Sequence, residues 1–445
     1  MSADRVAEDR SVGESDDPVL IISSDGHALA NMGDYRPYLP SRLHDEFDAF
    51  HELYKAKGAR SSDAAALLQR ADPETVDQWT EQVLDTGRVA GASDPYVRLR
   101  EMDLDGRAAD VLFPDFGLPF ELGTIIREAM LGYSRTQEQL VEGYRAHNRW
   151  LADFISVAPH RLVAMACIDF TDVDAAVKEI QWAHEAGLRG VLLPSFKDEL
   201  PVFHPRFEPI WNVVEELGLP LNNHVGHTST TNRPPLLGMY KAIPHPACAG
   251  PLFVPQTMFF AHQILSHMIW GGVLERHPNM KVVFTEQGSG WVVGDLESMD
   301  YTYDGSYLRR DIREVVPRKP SEYFARQCYL GSSIFSLAEV ESRHKIGLDK
   351  MMLGMDYPHH EGTWAVGPGT RAYLRATLGV ARVPADEAKK LLAETAAPVF
   401  GLDVGALAPV GERIGPSLHE VLTPPTNNWY PRGDVNKPAA TSMAG

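Results

Sequence analysis

The sequence of 445 residues predicts an α/β fold, a (β/α)8 TIM barrel with a helical insertion after strand 1, a long loop after strand 5 and a C-terminal arm. Three observations carry that expectation. Eight short apolar runs have strand length, helix-like stretches separate most of them, and several of the runs end in an acid or a histidine. The last feature matters because parallel barrels gather their chemistry at the carboxyl ends of the strands.

Taken in order, the runs begin with Val19-Leu20-Ile21-Ile22, which passes into Asp25-Gly26-His27. Residues 35–100 read as a polar, helix-like insertion, with Arg60 to Gln69 as one helical piece. Residues 108–116 and 162–170 supply strands two and three, with a helix over about 136–155 between them. Thr171 or Asp172 then caps a helix whose apolar positions Val173, Ala176, Val177, Ile180 and Ala183 keep a helical period, and Gly187 stands where a left-handed C-terminal residue is expected. Strand four is 188–194, helix 207–217 follows, and strand five, 219–226, carries His224 near its end. Residues 227–255 are Pro-rich and too long for an idle connection, so they are expected to cover a substrate. Helix 256–275 leads to strand six, Lys281 to Glu286, and a Gly-rich turn. Strand seven is 328–333, and helix 336–346 precedes strand eight, 350–356, which ends at Asp356 before Tyr357-Pro358-His359-His360. Helix 386–395 completes the barrel. The domain plan is a disordered tail over 1–18, the barrel over 19–405, and an arm or tail over 406–445.

Composition narrows the function. A net charge of -18 disfavours nucleic acid and anionic membranes, both of which need clustered Lys and Arg, so a small-molecule substrate is expected. Three widely spaced cysteines, Cys167, Cys248 and Cys328, form no disulfide framework or thiolate zinc site and suggest a reducing, cytoplasmic interior. The N-terminus lacks the apolar segment of a secretory signal, and no apolar run is long enough to span a bilayer.

Asp25, His27, His224, Glu286, Asp356 and one of His359 and His360 converge on one pocket if the barrel closes. Side chains two apart on a strand share a face, so Asp25 and His27 can meet at one atom, although Asp-Gly is also a common turn dipeptide. Facing carboxylates and imidazoles suffer repulsion and desolvation that a divalent cation converts to attraction. Nitrogen and oxygen donors suit zinc, manganese or iron, one or two ions per chain. Such a metal serves hydrolysis by activating water, decarboxylation by chelating a carboxylate, or, with two irons, oxygen activation. A barrel that merely binds a small molecule is the non-catalytic alternative.

These residues resemble the amidohydrolase superfamily, in particular the amidohydrolase-related group that includes aminocarboxymuconate semialdehyde decarboxylase. The matching motifs are Asp25-Gly-His27, Asn223-His224-Val-Gly226, Gly272-Val-Leu-Glu-Arg-His-Pro278, Glu286-Gln-Gly-Ser-Gly-Trp291 and Gly354-Met-Asp-Tyr-Pro-His359. The resemblance implies a metal-dependent hydrolase or decarboxylase-type lyase, whose partners are a small substrate and a second copy of the chain in a dimer. It implies Asp25, His27, His224 and Asp356 as metal ligands, Glu286 as base or bridging ligand, and His359 or His360 at the leaving group or substrate. Decarboxylases of the group usually carry His or Glu in place of Asp25 and a histidine in place of Glu286. A glutamate there suits a general base or a ligand to a second metal. The fold also resembles that of a non-haem diiron monooxygenase of terpenoid metabolism, which implies oxygenation as the alternative chemistry.

Overall fold

The computed structural model describes residues 17–57, 73–115, 117–122, 128, 131–197, 199–225, 242–245, 248–305, 309–360, 362–364 and 369–426. Eight strands, β1 (Ile22–Ser23), β2 (Ala109–Leu112), β3 (Leu162–Cys167), β4 (Gly190–Leu192), β5 (Leu221–His224), β6 (Val282–Thr285), β7 (Cys328–Ser332) and β8 (Met351–Leu353), pair in chain order. Every pairing is parallel, with registers such as Asn222 opposite Val283 and Leu330 opposite Met351. The Ser24 amide donates to the Leu353 carbonyl at 2.7 Å and Gly26 bridges Tyr357, which brings β8 against β1 and closes the barrel.

Because strand side chains alternate, each strand feeds two cores. Val163, Met165, Val283 and Met352 pack with Ile22 and Val111 inside the barrel, while Leu162, Val282, Phe284, Met351 and Leu353 pack outward against the helices. The strands are buried on both faces, which is why they read as apolar runs instead of alternating ones.

The helices start and stop for local reasons. Helix Gln137–Ser156 opens with a Thr136–Gln139 capping box, and Val173–Glu185 opens with the Asp172 carboxylate accepting from the Ala175 amide at 3.0 Å. Gly187 takes φ 95°, the left-handed value anticipated for it. The strands are shorter than the apolar runs, and the largest boundary difference concerns one helix. The helix expected from 256 begins at Ala249 and runs to Trp270, and Gly272, at φ 71°, separates it from a short turn over Val273–Arg276. Pro251 falls in its first turn, where a missing amide costs nothing, and Pro255 lies one turn further in, so the prolines of this stretch did not mark the helix start. The rest of the loop over 227–255 lies largely outside the described residues, as does the helical piece Arg60 to Gln69.

The insertion contributes helices His44–Lys57 and Pro95–Asp105, and Trp79 and Val83 from it pack with Tyr357 and Trp364. After residue 403 the chain forms helices Val404–Ile414 and Leu418–Leu422, whose Leu407 and Val421 join the two cores. The Val19 amide donates to the Pro416 carbonyl, so this stretch is tied to the start of β1. Among the described residues no helix is long and apolar enough to cross a membrane.

Asp172→Ala removes a cap from an outer helix and is expected to lower unfolding stability by about 1 kcal/mol, with Asp172→Asn recovering most of it. Urea denaturation of the three proteins measures the difference.

Candidate metal centre

The seam between β1 and β8 builds the site. The Asp356 amide donates to the Asp25 carbonyl at 3.0 Å and the His27 amide to the Tyr357 carbonyl at 2.6 Å. Two glycines permit the approach. A Cβ on Gly354 would stand 2.6 Å from Asp25 Cβ and 2.8 Å from Ser333 Cα, and one on Gly26 would stand 3.1 Å from Asp110 Oδ1. Asp356 and Glu286 both turn out of their strands in the left-handed region, at φ 53° and 58°, a conformation uncommon for residues other than glycine.

At the centre, His27 Nε2 lies 3.1 Å from Asp356 Oδ1, 3.9 Å from Asp25 Oδ1 and 4.0 Å from Glu286 Oε2. His224 Nε2 lies 3.3 Å from both Asp25 Oδ1 and Glu286 Oε2. Donor atoms of Asp25, His27, His224 and Glu286 all stand within 4.8 Å of one another, close enough to share an ion. The Glu286 side chain is 18% exposed whereas those of Asp25 and Asp356 are wholly covered, so Glu286 marks the open side of the ring.

The outer nitrogens of both histidines face backbone carbonyls: His27 Nδ1–H donates to Pro114 at 3.1 Å and His224 Nδ1–H to Val225 at 3.2 Å. A carbonyl only accepts, so these contacts assign a proton to Nδ1 and leave each Nε2 aimed at carboxylates, which a neutral ring would meet with its lone pair. Lone pairs facing anions repel unless a proton or cation lies between them. Metal-ligating histidines are oriented in this way. Ser333 Oγ donates to Asp25 Oδ2 and fixes that carboxylate from behind.

The titration behaviour follows from the same contacts. Burial pushes the Asp25 carboxyl up, but hydrogen bonding and attraction to His224, with help from His27 and Ser333, outweigh it and leave Asp25 below the usual carboxylate range. Burial and His359 push His27 down, and the hydrogen bond and charge of Asp356 raise it further than they lower it. His359 is held well above the ordinary imidazole value because Asp356 and Asp115 together overcome its burial.

The structure separates the two neighbouring histidines. His359 stacks on His27 with ring centres 4.2 Å apart and places Nδ1 3.0 Å from Asp356 Oδ1. His360 sits edge-on to Trp79 at 6.3 Å and belongs to none of the donor groups found among the described residues. Reasoning from sequence overlooked Asp115, whose Oδ2 is 3.4 Å from His359 Nε2. Its signal was present, since Asp115 follows an apolar strand just as Asp356 does. Also overlooked was Arg98, fully buried, which donates to the His27 carbonyl and lies 4.1 Å over the Tyr357 ring. Burial draws the Arg98 guanidinium down to about 10, which still leaves it charged at neutral pH.

Comparison with known proteins places this geometry in context. A family model described as Amidohydrolase matches residues 119–402. Gamma-resorcylate decarboxylase of Rhizobium sp. (strain MTP-10005) is 24% identical over 246 residues, covering 51% of this chain and 70% of that protein. The 2-amino-3-carboxymuconate-6-semialdehyde decarboxylase of Dictyostelium discoideum is 25% identical over 289 residues, covering 62% and 69%. Among solved structures, an amidohydrolase of Mycobacterium avium subsp. paratuberculosis K-10 superposes with a TM-score of 0.62 at 18% identity, over 86% of this chain and 99% of that one. A 5-carboxyvanillate decarboxylase of Novosphingobium aromaticivorans with bound manganese gives a TM-score of 0.58 at 17% identity, over 86% and 97%. With a family match over most of its barrel and the same fold in its structural neighbours, the chain belongs to the amidohydrolase family.

Proposed function

We propose that the protein is a metal-dependent lyase of the decarboxylase type, acting on a small, carboxylated, cyclic substrate. The observation that carries this reading is the pair of Nε2 lone pairs, on His27 and His224, aimed with Asp25, Glu286 and Asp356 into one buried ring. The donor set fits a cation: Asp25, His27, His224 and Glu286 offer four nitrogen and oxygen atoms within 4.8 Å of one another, and Asp356, 3.1 Å from His27, adjoins them with Oδ2 buried and without a hydrogen-bond partner. Asp25, His27, His224 and Asp356 would hold it, with Glu286 beside them. When bound, a divalent zinc, manganese or iron supplies Lewis-acid polarisation of substrate oxygens. The decarboxylase names of the relatives, and the manganese in the 5-carboxyvanillate decarboxylase, support the choice of reaction and cofactor.

The protein's own residues divide the remaining work. Glu286, on the open side, holds the proton exchanged with the substrate, giving it to the carbon that loses carbon dioxide. His359 lies deeper, between Asp356 and Asp115, and steadies the ring against substrate charge. His360 would contribute to the wall beside Trp79. Glu286 as a carboxylate favours hydrolysis as the second reading, because it can take a proton from water. In this proposal the catalytic unit is the barrel over 19–405, beside which Trp79 and Val83 of the insertion over 35–100 pack on Tyr357.

Incubating manganese-loaded protein with hydroxylated and methoxylated benzoates is expected to release carbon dioxide, and a chelator should abolish it. Oxygen uptake without carbon dioxide would sink this reading in favour of the monooxygenase, and ester or lactone cleavage alone would favour hydrolysis. Asp356→Asn should lower turnover by more than about 100-fold, since removing even a group that only orients a ligand costs about 10- to 100-fold. Ser333→Ala, which frees Asp25 Oδ2, is expected to weaken manganese affinity by about 10- to 100-fold with little change in fold, measured by calorimetric titration and circular dichroism.

A further inference from the structure

Glu286, which holds the exchanged proton in the proposed reaction, stands on a backbone that does not hold itself. Its φ of 58° lies in the left-handed region, which a residue with a side chain keeps only where its surroundings impose it. On one side the constraint is strand pairing, since the Glu286 amide donates to the Gly331 carbonyl at 3.0 Å. On the other side the chain leaves β6 at once and enters the Gly-rich turn 287–290, which has to be held from outside.

Two side chains do so. Gln287, buried, donates through Nε2 to the Asn223 carbonyl at 3.0 Å and to Asn223 Oδ1 at 2.9 Å, and its Oε1 accepts from the Ala261 amide at 2.9 Å. Glu339 reaches over from the short helix after β7, Leu337–Glu341. Its Oε1 accepts from the Ser289 amide and, at 3.1 Å, from the Gly290 amide. Its Oε2 accepts from the Ser336 amide at 2.8 Å and the Ser336 hydroxyl at 2.9 Å. With both oxygens engaged, the carboxylate bridges the loops that follow β6 and β7. Its charge suits the place. The turn opens helix Trp291–Asp304, whose N-cap Gly290 has no side chain to supply an acceptor, and an anion there meets the positive end of the helix dipole. Gly288, at φ 67°, admits it, because a Cβ on that residue would stand 3.3 Å from Glu339 Oε1. The Ser289 hydroxyl also meets the hydroxyl of Ser332, the neighbour of the Ser333 that holds Asp25.

We infer that Glu339 is a positioning residue for Glu286. It pins the turn behind Glu286 and so sets where that carboxylate stands on the open side of the ring. The inference rests on the reading of Glu286 as the proton carrier. The competing explanation is a plain helix cap, which would cost stability and leave the turnover of folded protein unchanged.

Full-length, manganese-loaded Glu339→Ala and Glu339→Gln test it beside Glu286→Gln, with gamma-resorcylate as the probe. In Glu339→Ala, kcat is expected to fall about 10- to 100-fold at unchanged KM and unchanged Mn2+ stoichiometry, the effect of displacing a reacting group by about 1 Å. Glu339→Gln keeps an acceptor oxygen at the same reach and should recover most of the loss. A crystal structure of Glu339→Ala is expected to show Glu286 out of the left-handed region and its carboxylate displaced. Glu286 unmoved in that crystal structure would overturn the inference, as would wild-type kcat in Glu339→Ala beside an inactive Glu286→Gln. Wild-type decarboxylation by Glu286→Gln would instead overturn the proton-carrier reading, and the crystal structure would still decide the positioning. Should Glu339→Ala fail to fold, Glu339→Asp, charged but one methylene too short for the turn, takes its place with the same expectations.

Discussion

The hydrogen bond from the Asp356 amide to the Asp25 carbonyl is the contact on which the rest of the site depends. It joins segments 331 positions apart in the chain and closes the seam between β8 and β1. Without that closure the acids and histidines would lie along an open sheet edge. With it, His27 meets Asp356 at 3.1 Å and the ring exists. Gly354 is part of the same constraint, because a Cβ there would press on Asp25 and Ser333 and hold the strand-end loops apart.

A second layer secures the seam. Arg98 reaches from helix Pro95–Asp105 to the His27 carbonyl and stacks on Tyr357, so one guanidinium holds the loops on both sides of the closure. Asp110 lies 3.5 Å from Arg98 and 2.7 Å from Arg107, and supplies the negative charge that makes burying these cations tolerable. The Tyr357 hydroxyl donates to the Arg88 carbonyl at 2.5 Å, and Trp79 and Trp364 pack behind it. Thus the insertion after β1, which has no catalytic spacing of its own, clamps the loop that carries Asp356 and His359.

The ring is also an electrostatic compromise. Its carboxylates gain from the histidines and from Ser333, yet the Nε2 lone pairs of His27 and His224 point towards oxygen and not towards donors. Such an arrangement is costly as a purely structural core and economical as a cation cradle. The histidine tautomers imposed by Pro114 and Val225 carry this conclusion, since they decide which nitrogen faces inward.

Much of this was legible in the sequence. The eight apolar runs mark the strands because a parallel sheet covered on both faces needs apolar side chains on both, and the motifs around Asp25, His27, His224, Glu286 and Asp356 mark the strand ends. Local chemistry also determined the Asp172 cap and the Gly187 stop. Tertiary structure alone decided the rest. Which of His359 and His360 turns inward depends on the left-handed backbone at Asp356, which no periodicity encodes. Asp115 joins the site only when His359 approaches it across 244 positions of chain, and Arg98 becomes a brace only when β8 closes on β1. Strands are written in neighbouring residues, but a metal cradle is written in distances between remote ones, and only closure of the barrel sets those distances.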